Sequence, residues 1–114
     1  PQGKIKNSVW FAWNWGVLTG SADLFAGSYQ NFLEFGGITA NLDPRTGILT
    51  PQEAWNIDSK LDDGKPARGS VVVRVITGLS NGTTTASNDY TNLDADYLGT
   101  SSSNVCNLVF RDQF

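Results

Sequence analysis

The apolar and polar positions of residues 50–64 predict a capped helix that leads into a tight turn. Thr50 precedes Glu53 by three residues, which is the spacing of a capping box, and the intervening Pro51 suits a first helical turn. The helix is predicted to end at Asp62-Asp63-Gly64, because glycine readily adopts the left-handed conformation that terminates helices. Its apolar positions recur at helical spacing and predict the buried face: Ala54, Ile57 and Leu61, with Trp55 beside them.

Three other segments have the composition or the alternation of strands. Residues 70–77, SVVVRVIT, predict a strand buried on both faces, with one arginine as an interruption. Residues 105–110 predict a second strand that is antiparallel to the first. Residues 31–35 alternate between two sets of side chains, which predicts an edge strand ending at Gly36-Gly37, with residues 38–42 as a candidate partner.

Residues 8–18 fit either a strand or a helix. Trp13 and Trp15 alternate across one residue, as they would in a strand. Trp13 also shares one helical face with Val9 and Val17. With the elements above, the chain is predicted to have an α+β fold, in which one or two short helices pack on an antiparallel β-sheet.

The composition indicates one loop-rich, strand-biased domain. A chain of 114 residues suits a single domain, 1–114, and a hydrophobic content of 39% is enough for one core. The formal net charge is -3 and the chain has no basic run, which argues against binding to nucleic acid or to an anionic membrane. No stretch approaches the ~20 apolar residues that a membrane-spanning helix needs.

Three residue types limit the chemistry that this chain can perform. Histidine is absent, which excludes Ser-His-Asp and Cys-His catalysis and histidine-ligated zinc. Cys106 is the single cysteine and lies in the apolar run VCNLVF, so we expect a buried side chain and not a reactive thiol. Glu34 and Glu53 are the only glutamates, and nothing pairs either with a second carboxylate across a cleft. We therefore expect no enzymatic activity.

Two acidic segments are candidate sites for calcium, which prefers several oxygen ligands around a sharp turn. The first contains Asp58, Asp62 and Asp63 beside Gly64, but its spacing is not that of an EF-hand loop. We expect these carboxylates to build the turn by binding backbone N–H groups, with calcium as the alternative. The second segment, NDYTNLDAD, is either a calcium loop or a solvated loop with Asx turns. Its carboxylates are Asp89, Asp94 and Asp96.

The aromatic residues allow a third kind of site. Aromatic side chains at helical or strand spacing usually belong to the core, so core packing is the expectation here. The alternatives are a protein interface and a platform on which sugar rings stack. The residues concerned are Trp10, Trp13, Trp15 and Trp55, with Tyr29, Phe32 and Tyr90 as possible additions.

The segment EAWNIDSKLDDGKPARG resembles the C-terminal part of bacterial type IV pilin-like and pseudopilin proteins, which are made with a prepilin-type N-terminal cleavage and methylation segment. In that family, a short helix with the pattern EAxxID leads into KxDDGxPxxG and then into a strand. A weaker likeness covers GKIKNSVWFAWNWGVLTG, which is similar to an aromatic-rich helix of the family and favours a helix over residues 8–18. The residues that match the stronger pattern are Glu53, Ala54, Ile57, Asp58, Lys60, Asp62, Asp63, Gly64, Pro66 and Gly69.

This resemblance implies a structural function outside the cytoplasm. The chain would be the globular head of a subunit that assembles with other subunits into a type IV pilus on the cell surface or a type II secretion pseudopilus in the periplasm. The family's long apolar N-terminal helix, its only membrane contact, precedes such a head, so the resemblance implies a longer precursor. Several pseudopilins bind calcium near the C-terminus, which favours the second acidic segment. The rival functions are a secreted carbohydrate-binding or adhesin module that uses the tryptophans, and an enzyme with carboxylate chemistry.

Overall fold

One helix and a four-stranded antiparallel sheet are the main regular elements of the described chain. The computed structural model describes residues 8–14, 17–18, 24–29, 31–37, 47–75, 81–85, 90–99 and 101–111. In chain order, its elements are strands β1 (Ser8–Asn14), β2 (Val17–Leu18), β3 (Gly27–Ser28) and β4 (Asn31–Gly37), helix α1 (Pro51–Leu61), and strands β5 (Val71–Arg74) and β6 (Asn107–Arg111). Strands β1, β4, β6 and β5 form one antiparallel sheet in that order, and β2 pairs with β3 in a separate ribbon. The helix packed on this sheet confirms the predicted α+β fold.

Buried apolar side chains cover both faces of the sheet. On the face toward α1, Leu108 of β6 pairs with Phe35 on one side and with Val73 on the other. These three side chains belong to one core cluster, and Ala54 of α1 is fully buried in the same cluster. Successive strand residues point to opposite faces, so the same strands also supply a second cluster. It consists of Leu24, Tyr29, Phe32, Val72 and Val109.

The helix predicted over residues 8–18 is wrong. The first part of this segment is β1, which pairs antiparallel with β4 along its whole length. Trp10 explains the outcome, because its ring packs against that of Phe35 on β4 (4.7 Å between centroids) and that of Phe110 on β6 (5.6 Å). Aromatic contacts across neighbouring strands stabilise a sheet. Residues 15–16 lie outside the described residues.

The other predicted strands are present, with one change of position and with β5 covering only Val71–Arg74 of the predicted 70–77, where residues 76–77 lie outside the described chain. β4 is a strand as predicted, but it lies between β1 and β6 and not at an edge. β5 and β6 are antiparallel to each other, and every residue of β5 is buried, as expected. The predicted partner segment, residues 38–42, lies outside the described part of the chain.

Helix α1 begins and ends where the sequence predicts, and its capping box is present. The Glu53 N–H donates to Thr50 Oγ1 (3.2 Å), and the Thr50 N–H donates to Glu53 Oε1 (2.9 Å). The predicted buried face is wrong in part, because Leu61 is 65% exposed and Ile57 is only half-buried. Burial along the helix ends at Asp58, one turn before its C-terminus. The helical residues that are buried are Pro51, Ala54 and Asp58.

A buried ion pair lies on the sheet face opposite α1. Nη1 of Arg74 on β5 donates to both carboxylate oxygens of Glu34 on β4, at 3.0 and 2.9 Å. The side chains are 5% and 1% exposed, respectively. The pair spans β6, the strand between β4 and β5. It accounts for the arginine that interrupts the valine run, because a buried carboxylate needs a cationic partner.

We expect Glu34→Ala to lower the free energy of unfolding by about 3–5 kcal/mol, since it leaves the Arg74 guanidinium buried without this carboxylate. Arg74→Ala should have a similar effect, and the double variant should lose clearly less than the sum of the two. Urea denaturation of the four proteins measures this coupling. Glu53→Ala is the control at an exposed glutamate and should cost only about 1 kcal/mol through the helix cap. Losses that simply add would contradict the pairing.

Candidate functional site

The buried carboxylate of Asp58 joins helix α1 to the turn that follows it and to a segment that is distant in sequence. Asp58 is fully buried. Its Oδ1 accepts a hydrogen bond from the Gly64 N–H (3.2 Å), and its Oδ2 accepts one from the Tyr97 hydroxyl (2.7 Å). The first bond positions the turn after the helix, residues 62–70, which we call the acidic turn. The second positions residues 90–99, which we call the 90–99 loop.

The other two aspartates of the cluster also bind backbone N–H groups. Asp62 Oδ2 accepts from the N–H of Ser70 (2.8 Å) and, more weakly, from that of Val71 (3.4 Å). Asp63 Oδ1 accepts from the Lys65 N–H (2.9 Å). Asp62 therefore closes the acidic turn and leads the chain directly into β5.

Two glycines of the acidic turn have a conformation that other residues rarely adopt. Gly64 has φ = 73° and Gly69 has φ = 76°. A side chain would also lack space, because a Cβ on Gly64 would lie 2.8 Å from Ser59 Oγ, and one on Gly69 would collide with the Asp62 carboxylate. The left-handed turn predicted at Gly64 is thus confirmed, and it coincides with a close approach of the turn to the helix.

The 90–99 loop docks on the acidic turn through two basic residues. Lys65 Nζ contacts Asp96 Oδ1, and Arg68 Nη2 contacts Asp94 Oδ1. Arg68 Nε also donates to the carbonyl oxygen of Leu93 (2.7 Å). The two acidic segments of the sequence are therefore brought together, with cationic side chains between them. Asp89 lies outside the described residues.

The arrangement of the carboxylates bears on the calcium hypothesis. One carboxylate oxygen of each of Asp58, Asp62 and Asp63 lies within 4.8 Å of the others. Both oxygens of Asp58 and one oxygen of each of the other two already accept hydrogen bonds from the protein. Two carboxylate oxygens of the cluster remain outside these hydrogen bonds, so most of the 6–8 oxygen ligands of a calcium ion would have to come from other groups. As arranged, this donor set fits the building of a turn and does not by itself fit a calcium site.

Burial raises the pKa of three groups in or near the site. It raises the pKa of Asp58 to about 6, and the hydrogen bonds from Tyr97 and Gly64 offset only part of this effect. It raises the pKa of Tyr97 far above its usual range, so the phenol keeps the proton that it donates to Asp58. It raises the pKa of Cys106 to about 12, and this side chain is fully buried. The cysteine is the buried thiol expected from the sequence.

A groove beside the acidic turn is bordered by the one described tryptophan that is largely exposed. Trp55 is 44% exposed, whereas Tyr29 and Phe32 are buried and Trp10 and Tyr90 are partly buried against core clusters. The side chain of Trp13 and the whole of Trp15 lie outside what the structure describes. The groove has a volume of about 240 Å³, and its lining includes Pro51, Gln52 and Trp55 from the helix, Gly64 from the acidic turn, and Asp96 and Tyr97 from the 90–99 loop.

Three residues of this site were not identified from the sequence. Tyr97 is 39 residues from Asp58, and no local pattern links the two. The contacts of Lys65 and Arg68 could have been predicted from the sequence, because both residues follow the first acidic segment and their charges complement those of the second. Lys60 and Ile57, which belong to the family pattern, make none of the contacts described here.

Comparison with protein-family models, with curated proteins and with solved structures gave no match to this chain. Among the described residues, no helix is both long enough and apolar enough to cross a membrane. The functional interpretation therefore depends on the residues and geometry of the chain itself and on the resemblance noted in its sequence.

Replacing Gly64 by valine should lower the free energy of unfolding by about 1 kcal/mol or more, because valine is strained at positive φ. Gly99→Val is the matched control, since a Cβ at Gly99 meets no atom within 4 Å. Thermal unfolding should show a lower melting temperature for the first variant and a nearly unchanged one for the second. Equal melting temperatures for Gly64→Val and the unmodified protein would remove the left-handed turn from the account.

The raised pKa of Asp58 predicts a loss of stability as pH rises. The folded state binds the proton of the Asp58 carboxyl group more tightly than the unfolded chain does. The stability that this proton contributes to the folded state is complete below about pH 3.8 and is lost as pH rises through about 6. Asp58→Asn retains an oxygen for the Gly64 N–H without the charge. The free energy of unfolding of this variant, minus that of the unmodified protein, should therefore rise by roughly 2–3 kcal/mol as pH goes from about 4 to 7.

Urea denaturation at a series of pH values measures this difference. Asp94→Asn, at an exposed carboxylate, is the control and should not reproduce the change. Tyr97→Phe removes a hydrogen bond that lowers the pKa of Asp58 and should move the transition to higher pH. Parallel pH profiles for Asp58→Asn and the unmodified protein would contradict the assignment.

Proposed function

We propose that this chain is the globular head of a pilin-like or pseudopilin subunit with a structural function. Support comes from the roles of the residues that carry the resemblance. Glu53 completes the helix cap, Ala54 is fully buried, and Asp58 and Asp62 accept backbone hydrogen bonds. Gly64 and Gly69 have left-handed backbones. The shared pattern thus corresponds to a folded helix–turn–strand unit.

The single observation that carries the proposal is the double hydrogen bond to Asp58. It joins the helix, the acidic turn and the 90–99 loop into one unit through an aspartate of the family pattern. A motif that joins three segments in this way suits a structural role, because it stabilises the domain. A stable head that makes lateral contacts is what a filament subunit requires, and its partners would be other subunits of the same filament.

A secreted carbohydrate-binding or adhesin module is the second candidate. One specific observation favours it, namely the exposed Trp55 at the edge of a groove. The row of exposed tryptophans that such a module would use is not found among the described residues, because Trp10 packs on Phe35 and Phe110.

The N-terminus of the mature protein tests the first proposal against the second. We expect intact-mass analysis and N-terminal sequencing of protein from native membranes to find a methylated Phe or Met, followed by ~20 apolar residues that can anchor and polymerise the subunit. A mature protein that starts at or near Pro1 after removal of a secretory signal peptide would contradict the pilin-like proposal and favour the secreted module.

A further inference from the structure

The groove beside the acidic turn combines an exposed aromatic ring with negative charge. Trp55 forms part of the wall contributed by the helix, and Asp96 and Tyr97 form part of the wall contributed by the 90–99 loop. The Tyr97 hydroxyl donates to the Asp58 carboxylate, so an acidic group lies directly behind this wall. Asp96 gives one oxygen to Lys65 and has a side chain that is 64% exposed, which leaves its second oxygen accessible.

The surroundings of the groove carry more acidic than basic groups. Residues 51–69 together with 94–96 contain six carboxylates and three cationic side chains. Such an excess attracts cations and repels anions at the mouth of a groove. A tryptophan and a carboxylate that line the same groove can together bind an ammonium or guanidinium group, by cation–π attraction and by an ion pair.

We propose that this groove binds a basic side chain, arginine or lysine, presented by a partner protein. The positive group would lie over the Trp55 ring and form an ion pair with the accessible oxygen of Asp96. Arginine fits best, because its planar and weakly hydrated guanidinium group stacks on aromatic rings. A volume of about 240 Å³ suits a single side chain, since it is below the range of sites for larger ligands.

Gly64 is the residue that keeps the groove open toward Trp55. A Cβ at this position would lie 3.4 Å from Trp55 Nε1. Because the left-handed backbone already requires glycine here, the acidic turn and the groove depend on the same residue. This inference does not depend on the filament proposal, since a basic side chain is recognised in the same way whichever protein presents it.

The test is a titration of the 15N-labelled protein with N-acetyl-argininamide at constant ionic strength, followed by NMR. We expect saturable shifts of the Trp55 indole N–H and of the Gly64 and Gly99 amides, with a dissociation constant on the order of millimolar for this minimal probe. N-acetyl-lysinamide should bind more weakly at the same signals. Neutral N-acetyl-glycinamide and the sugars glucose, galactose and N-acetylglucosamine should cause no saturable shift.

Four exposed substitutions separate a binding role from a structural one. Trp55→Leu and Asp96→Asn should each weaken binding by about fivefold or more. Lys65→Gln should strengthen it, because it removes the cation that competes for Asp96. Leu61→Ala, on the same helix but outside the groove, should leave it unchanged. Thermal unfolding of each variant checks that its fold is intact.

Other outcomes would overturn the proposal. It fails if N-acetyl-argininamide causes no saturable shift, or if Trp55→Leu and Asp96→Asn bind it as well as the unmodified protein does. It also fails if Lys65→Gln weakens binding as Asp96→Asn does, since the ion pair would then only support the loop. Saturable shifts with a sugar but not with the cations would assign the groove to carbohydrate instead.

Discussion

The buried carboxylate of Asp58 is the constraint on which the acidic side of this domain depends. A carboxylate without exposure to water must receive hydrogen bonds from the protein, because an unsatisfied buried charge is strongly destabilising. The carboxylate accepts hydrogen bonds from Gly64, six residues away in sequence, and from Tyr97, 39 residues away. The hydrogen bonds that this one carboxylate accepts therefore fix the positions of the acidic turn and of the 90–99 loop against the helix.

The opposite face of the sheet carries a second buried acid, whose charge is stabilised in a different way. Glu34 is paired with Arg74 across the intervening strand β6, so its charge is neutralised and not merely hydrogen-bonded. The hydrogen bonds that Asp58 accepts in the described structure come from neutral groups, the Gly64 N–H and the Tyr97 hydroxyl, and burial raises its pKa. Each buried acid joins segments that are far apart in sequence. Such groups favour one arrangement of the strands over others, because a shifted register would leave the acid unsatisfied.

How much could be predicted from the sequence depended on how local the determining contacts are. The α1 helix, its capping box and the turn at Gly64 were predicted correctly, because each depends on residues that are close in sequence: Thr50 and Glu53 at the cap, and 62–64 at the turn. Residues 8–18 fitted either a strand or a helix, and the family likeness favoured the helix, because the contacts of Trp10 with β4 and β6 that decide for a strand are not local. The link between Asp58 and Tyr97 was missed for the same reason. The central place of β4 was missed because its neighbour β1 was expected to be a helix.

The contacts of the acidic turn also explain why an exposed tryptophan persists next to it. Gly64 must lack a side chain because its backbone is left-handed and lies close to Ser59, and that same lack leaves the side of Trp55 uncovered. The fold requires the glycine but not the indole, since Trp55 adds little to the buried core. Exposed aromatic residues of this kind are enriched where proteins meet other molecules. The residues that hold the turn together and those that would contact a partner are therefore adjacent but distinct, which allows the stability of the unit and its binding to be altered independently.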